Sequence, residues 1–152
     1  RSVAERTLMA VPMLKAVARA LLRYPEFNGY YREGAFVPGA GIHLGVAISL
    51  RQGGLIAPAI RDVDAMGVDA LMRHLADLVA RARALTLRSS EMSDATITVT
   101  NLGDQGVESV HGVIYPPQVA LVGFGKVTQR PWVDDGRVVG HRNLDEVESR
   151  DS

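Results

Sequence analysis

The sequence predicts an α/β domain, a sheet of about six strands packed against two long helices. Three observations carry this expectation. Residues Leu8 to Leu22 and Val68 to Ala82 each repeat apolar side chains at steps of three and four, the period of a helix with one buried face. Residues His43 to Leu50 and Ala95 to Thr100 instead alternate with period two, as strands do. Short turn signals rich in Gly, Pro and Asp separate these segments, without an internal repeat, low-complexity tract or linker.

In chain order, the first helical stripe is Leu8, Val11, Leu14, Val17, Ala18, Leu21 and Leu22. Pro12 is expected in about its first turn, where a missing N–H does little harm, and Tyr24-Pro25 marks its end. Phe27-Asn28-Gly29 reads as a turn, and Tyr30–Arg32 with Phe36–Pro38 as a hairpin across Glu33-Gly34. In the next strand Leu44, Val46, Ile48 and Leu50 share one face. Gln52-Gly53-Gly54 then turns the chain into Leu55–Ile60, where Pro58 argues for an edge strand or a bulge.

The second helix has the cleaner stripe, Val68, Leu71, Met72, Leu75, Leu78, Val79 and Ala82. Acidic residues lie near its start and arginines near its end, as the helix dipole favours. A polar loop is expected over Thr86–Asp94. Beyond the threonine-rich strand, Gln118–Phe124 reads as a buried strand introduced by Pro116-Pro117, and Asp134-Asp135-Gly136 as the turn of a last hairpin.

The 152 residues suffice for one domain with a real core. Lys+Arg and Asp+Glu both number 17, so the whole chain carries no electrostatic footprint for nucleic acid or an anionic membrane. Cysteine is absent, which removes disulfides, thiolate nucleophiles and Cys-based zinc sites and suits a reducing cytoplasm. No apolar run is long enough to span a bilayer, and the first residues, RSVAERTLMAVP, do not read as a signal peptide. A start at Arg1 in place of Met suggests a fragment or a processed chain.

Most local motifs fail on their context. Gly39-Ala40-Gly41 precedes a strand, whereas a dinucleotide site needs a helix N-terminus at the pyrophosphate. Gly125-Lys126 lacks the earlier glycine and following Ser/Thr of a P-loop. His74 reads as solvated, His43 as packed or hydrogen-bonded, and His111 as part of an apolar loop. No two histidines have zinc-protease spacing, so no metal site is expected. His141 and Asp145 put a base and a carboxylate four residues apart, although on local evidence alone a charged C-terminal tail is the better reading.

The segment Thr96-Ile97-Thr98-Val99-Thr100 has one apolar and one hydroxylated face and ends at the turn Asn101-Leu102-Gly103. Threonine is a good strand residue in its own right. A hydroxyl held at a strand end can also donate to a developing oxyanion.

Four stretches in order carry a resemblance: LKAVARALLRYPEFNG, HLGVAISLRQGGLIAPAIRDVD, ATITVTNLGDQGV and VIYPPQVALVGFGKV. Together they resemble the catalytic domain of the dihydrolipoamide acyltransferase component of 2-oxoacid dehydrogenase complexes, over about Thr7 to Val139. Chloramphenicol acetyltransferase is a more distant relative in fold. The resemblance implies a mixed β-sheet flanked by helices, the architecture of CoA-dependent acyltransferases. It implies acyl transfer between a lipoyl group, carried on a separate domain, and coenzyme A. It also implies homotrimers that build a larger hollow core, with the dehydrogenase and dihydrolipoamide dehydrogenase components as partners. By the same resemblance, Thr100 takes the oxyanion-stabilising position, with Asn101 and Gly103 beside the substrate.

The family's histidine motif, Asp-His-Arg-x-x-Asp-Gly, is only partly kept. His141-Arg142 and Asp145 match it, but the leading Asp and closing Gly are lost, and His141 follows Thr100 by fewer residues than is usual. The chain is therefore read as a partial catalytic domain over residues 1–139 and a divergent tail over 140–152. Either His141 and Asp145 serve as a shifted catalytic base and its positioning carboxylate, or the tail is unrelated and the chain is a non-catalytic oligomerising scaffold. Residues after Asp145 show no helical apolar spacing, which favours the unrelated tail. The family's opening helix and strand, and the strand that delivers its histidine, have no match here, which also predicts exposed strand edges. Which acyl group travels rests on pocket shape, which the sequence does not draw.

Overall fold

A computed structural model describes residues 3–101, 112–126 and 131–139. Helix α1 (Val3–Arg23) begins earlier than its apolar stripe, so Pro12 sits inside the helix and not in its first turn. Pro12 lies on the exposed side, while Val11, Leu14, Val17, Ala18 and Leu21 are buried. The pattern marked the buried face; the helix extends beyond it. A 3₁₀ turn (Pro25–Phe27) follows, then the hairpin of β1 (Gly29–Arg32) and β2 (Ala35–Pro38). Glu33 and Gly34 both adopt positive φ at its tip, as a tight two-residue turn requires.

The expected strand His43–Leu50 is broken into β3 (Leu44–Val46) and β4 (Ile48–Ser49). Likewise Leu55–Ile60 divides into β5 (Leu55–Ile56) and β6 (Ala59–Ile60) on either side of Ala57-Pro58. The breaks let the chain serve two sheets: β4 pairs with β5, and β3 with β6. Pro58 offers no N–H, but its carbonyl accepts the Val46 amide at 2.9 Å, and β6 lies at a sheet edge.

Helix α2 (Val68–Arg83) follows its predicted stripe, burying Leu71, Leu75, Leu78 and Ala82; Val68 is exposed. The polar loop expected over Thr86–Asp94 contains a one-turn helix, α3 (Ser89–Ser93). Glu91 stabilises its entry by accepting the Arg88 amide at 2.7 Å. Strands β7 (Ile97–Asn101) and β8 (Leu121–Phe124) complete the main sheet, and β9 (Trp132–Asp134) with β10 (Arg137–Val139) forms the expected last hairpin.

The described strands therefore form not one sheet of six but a four-stranded mixed sheet, in the order β6-β3-β7-β8, and three two-stranded ribbons. Strands β3, β7 and β8 run parallel, and β6 antiparallel. One face of this sheet, with Leu44, Ile60, Ile97 and Val99, packs into a continuous core with α1 and α2. Several apolar side chains on the ribbons are exposed, among them Trp132, Val133, Val138 and Tyr31.

A lysine closes the gap between α1 and the bend after β6. Lys15 Nζ donates to the carbonyls of Val63 (3.1 Å), Asp64 (3.2 Å) and Met66 (2.7 Å). These carbonyls belong to no strand or helix; that of Val63 also accepts the Met66 amide at 3.3 Å, and the ammonium gives all three a donor.

Proline inside a helix costs up to about 3 kcal/mol relative to alanine. Pro12→Ala on the exposed side of α1 should therefore stabilise the chain by about 1–3 kcal/mol, read as a raised urea midpoint at unchanged slope.

Candidate active site at the carboxyl end of strand β7

Strand β7 is buried on both faces, and the two faces differ in chemistry. Ile97 and Val99 enter the core, whereas Thr96 (just before the strand), Thr98 and Thr100 line the other side. Two of these hydroxyls are committed to the fold. Thr96 Oγ1 donates to Asn28 Oδ1 at 2.5 Å and accepts the His43 amide at 3.0 Å. Thr98 Oγ1 donates to Gln118 Oε1 at 2.7 Å. Thr100 is 8% exposed, and its hydroxyl makes no hydrogen bond to another described residue.

The parallel register explains where Thr100 sits. Thr98 lies opposite Leu121, Thr100 opposite Gly123, and Val99 opposite both Val46 and Val122. The Ala47 amide donates to the Val99 carbonyl at 2.9 Å, so Ala47 flanks Thr100 on its other side. Strand β3 ends one residue before the level of Thr100, and β7 and β8 one residue after it, with Thr100 on the inner strand. The carboxyl edge of parallel strands is where α/β sheets hold ligands.

Asn101 shares this strand end but faces the opposite way. Its carboxamide donates to Met13 Sδ of α1 at 3.7 Å, on the helix-covered side. The structure therefore separates Thr100 and Asn101 by the thickness of the sheet. Gly103, His111, His141 and Asp145 lie outside the described residues. His43 is hydrogen-bonded, as expected: its Nδ1 accepts the Asp62 amide at 3.1 Å. His74 is exposed on α2.

Asn28 and Gln118 were not singled out by the sequence, although they hold the hydroxylated face together. Gln118 had a signal, a polar residue opening an apolar run; Asn28 had none beyond its turn. The cover over this face also includes Tyr30, whose hydroxyl donates to the Ala95 carbonyl at 3.1 Å. Burial is the first cause of that phenol's raised pKa.

A separate cleft of about 220 Å³ lies by β6, α2 and α3, lined in part by Arg61, His74, Arg81 and Glu91. Much of its charge is spent internally. Arg81 meets Glu91 through two bonds of 2.6 Å and Asp77 through one of 2.8 Å, and Arg61 pairs with Asp94. The Arg81 hydrogen bonds pull the Glu91 carboxyl down to about 2 and hold the guanidinium above its ordinary range. This is a strut between α2 and α3, not a reacting centre. Among the described residues no group of three His, Asp or Glu could hold a metal, and no helix is long and apolar enough to cross a membrane.

A strand-end hydroxyl on a mixed sheet backed by two helices can be compared with known proteins. The family model of the 2-oxoacid dehydrogenases acyltransferase (catalytic domain) matches residues 2–147. The chain belongs to this acyltransferase family. It is 38% identical over 121 residues to the dihydrolipoyllysine-residue acetyltransferase component of the pyruvate dehydrogenase complex of Mycobacterium bovis, covering 78% of this chain and 22% of that protein. Its fold matches Azotobacter vinelandii dihydrolipoamide acetyltransferase with a TM-score of 0.80 at 30% identity, over 87% of this chain and 55% of that one. That enzyme has been studied for the role of a serine, a histidine and an asparagine in its catalytic mechanism. The cubic core of the pyruvate dehydrogenase multienzyme complex matches equally well, with a TM-score of 0.80, 30% identity and the same coverage of 87% and 55%. The chain thus spans about a fifth of the curated relative and about half of each solved structure.

Two outcomes check this acyltransferase-family site and its support. Thr98→Val strands the Gln118 carbonyl and should cost about 1–3 kcal/mol, while Thr100→Val should cost about 1 kcal/mol or less, compared by urea melts. Glu91 has a lowered folded pKa, so its contribution is present above pH 4.5 and is lost as pH falls toward 2. Glu91→Gln should flatten that acid limb, measured as melting temperature against pH.

Proposed function

We propose that this chain moves an acyl group between the thiols of dihydrolipoamide and coenzyme A, within a 2-oxoacid dehydrogenase complex in the cytoplasm. One observation carries the reading. Of the three hydroxyls on this face, those of Thr96, Thr98 and Thr100, Thr100 alone has no bond to another described residue, and it sits at the carboxyl edge of the parallel strands. A hydroxyl held by the backbone of an inner strand keeps its place while charge develops next to it.

The chemistry asked of the site is thiol-to-thiol exchange. A thiolate adds to the thioester carbonyl, the oxygen becomes an oxyanion, and the second thiolate leaves as the carbonyl re-forms. Thr100 would donate its O–H to that oxyanion. His141 would take the proton from the attacking thiol and return it to the departing one, with Asp145 holding the imidazole. Two facts support assigning the base to this chain. The family match continues through residue 147 and so takes in His141 and Asp145. A histidine also figures beside a hydroxyl residue in the work on the Azotobacter vinelandii enzyme. The likeness to a cubic multienzyme core supports homotrimers assembled into a larger shell, with the dehydrogenase and dihydrolipoamide dehydrogenase components as partners.

An acyl-CoA:dihydrolipoamide exchange assay tests the reading. Thr100→Ala should lower the rate by about 10²–10³, and His141→Ala by about 10²–10⁴, with the oligomer intact by light scattering. An intact oligomer with no exchange in the unsubstituted chain would favour the scaffold role instead.

A further inference from the structure

The cleft beside β6, α2 and α3 is set apart from Thr100. It lies at the β6 edge of the main sheet, on the side covered by α2, whereas Thr100 faces the other side from an inner strand. Its floor is apolar, with Ile60 and Leu78 both part of the core. Its walls are cationic. Arg61 follows β6, His74 and Arg81 belong to α2, and Arg88 precedes α3. Three guanidiniums thus line it with a single carboxylate, that of Glu91.

These groups are not equally committed. Glu91 Oε1 accepts one nitrogen of Arg81, and Oε2 accepts another together with the Arg88 amide, so both oxygens are filled. Asp77 and Asp94 hold Arg81 and Arg61 from outside the lining, and Arg61 gives Asp94 one nitrogen. A guanidinium carries five N–H bonds in a fixed fork, so Arg61 keeps most of its donors. Arg88 makes no ion pair with another described residue. Its charge nevertheless helps hold the Glu91 carboxyl down, which places it close to the acid of the cleft. The Ser90 hydroxyl, also in the lining, makes no hydrogen bond to another described residue.

The open donors call for an oxyanion. A carboxylate is planar, and one guanidinium fork satisfies both its oxygens. Here the donors come from separate segments of the chain, and a tetrahedral phosphate has an oxygen for each. The apolar floor excludes water from one side, which strengthens charge-assisted bonds. At about 220 Å³ the cleft is smaller than the roughly 300–1,000 Å³ of sites that enclose a drug-sized ligand, so it suits one small group.

We propose that this cleft binds the phosphate group of a small phosphate monoester through Arg61, Arg88 and Ser90, at a site separate from Thr100. The site stands whether or not the chain transfers acyl groups.

Inorganic phosphate is the probe. Equilibrium dialysis against this chain should show saturable binding that weakens as salt is raised. Arg88→Ala should weaken it by about tenfold or more, and Ser90→Ala by a smaller factor in the same direction. The backbone amide at residue 88 still meets Glu91 in the first variant, so the strut is kept. Arg88→Lys retains the charge but not the fork, and should recover only part of the loss. Arg19→Ala, exposed on α1, should change nothing. Arginine-selective labelling with a dicarbonyl, read by mass spectrometry, locates the ion: phosphate should slow labelling of Arg61 and Arg88 and leave Arg19 unaffected. Saturating acetyl-CoA should leave that protection in place. Absence of saturable binding, equal weakening by Arg19→Ala, or acetate competing as strongly as phosphate overturns the proposal. Displacement of phosphate by acetyl-CoA overturns it too, since the cleft would then serve the coenzyme.

Discussion

The two-faced strand β7 is the constraint on which the structure depends. Its apolar side, Ile97 and Val99, meets Leu44, Leu71 and the rest of the helix-covered core. Its other side is just as buried but built from hydroxyls. A buried hydroxyl without a partner costs about 1–3 kcal/mol, so burying this side required carboxamides and carbonyls from elsewhere. Asn28 and Gln118 answer that need from segments far apart in the chain. The hairpin β1–β2 and the stretch before β8 are tied together as a result. Tyr31 donates its amide to the Pro117 carbonyl at 2.8 Å, and Tyr30 bridges to Gln118.

The candidate site is what remains when that pairing stops. Moving along β7, Thr96 and Thr98 each find a carboxamide, and at Thr100 the supply ends. The same register that aligns Val46, Val99 and Val122 in the core aligns Ala47, Thr100 and Gly123 on the opposite side. One ladder therefore sets both the packing of the core and the neighbours of the hydroxyl.

Much of this was legible in the sequence, and the failures have physical causes. Both long helices and the β7 alternation were readable because periodicity records which side is buried. Helix α1 nevertheless runs past its stripe, placing Pro12 in the interior, because solvent-facing turns leave no apolar mark. Strands β3 and β4 read as one because alternation continues through Ala47, while their partners differ; pairing is decided by distant chain that a local pattern does not encode. Thr100 was found through resemblance, and its open hydroxyl only through the committed state of Thr96 and Thr98. Asn101, its neighbour in sequence, lies across the sheet, as strand alternation requires. Helix α3 escaped notice because a single turn has no period; the Arg81–Glu91 pair fixes its place.

Lys15 has a chemical consequence beyond tying α1 to the bend after β6. An ammonium has three N–H bonds, and here three backbone carbonyls receive them. A nitrogen so occupied presents no lone pair, and it is the lone pair that would attack a passing thioester. Under the acyl transfer proposed for this chain, this amine is kept from becoming an amide by the same bonds that fasten the bend, whereas Lys126, the chain's other lysine, is exposed.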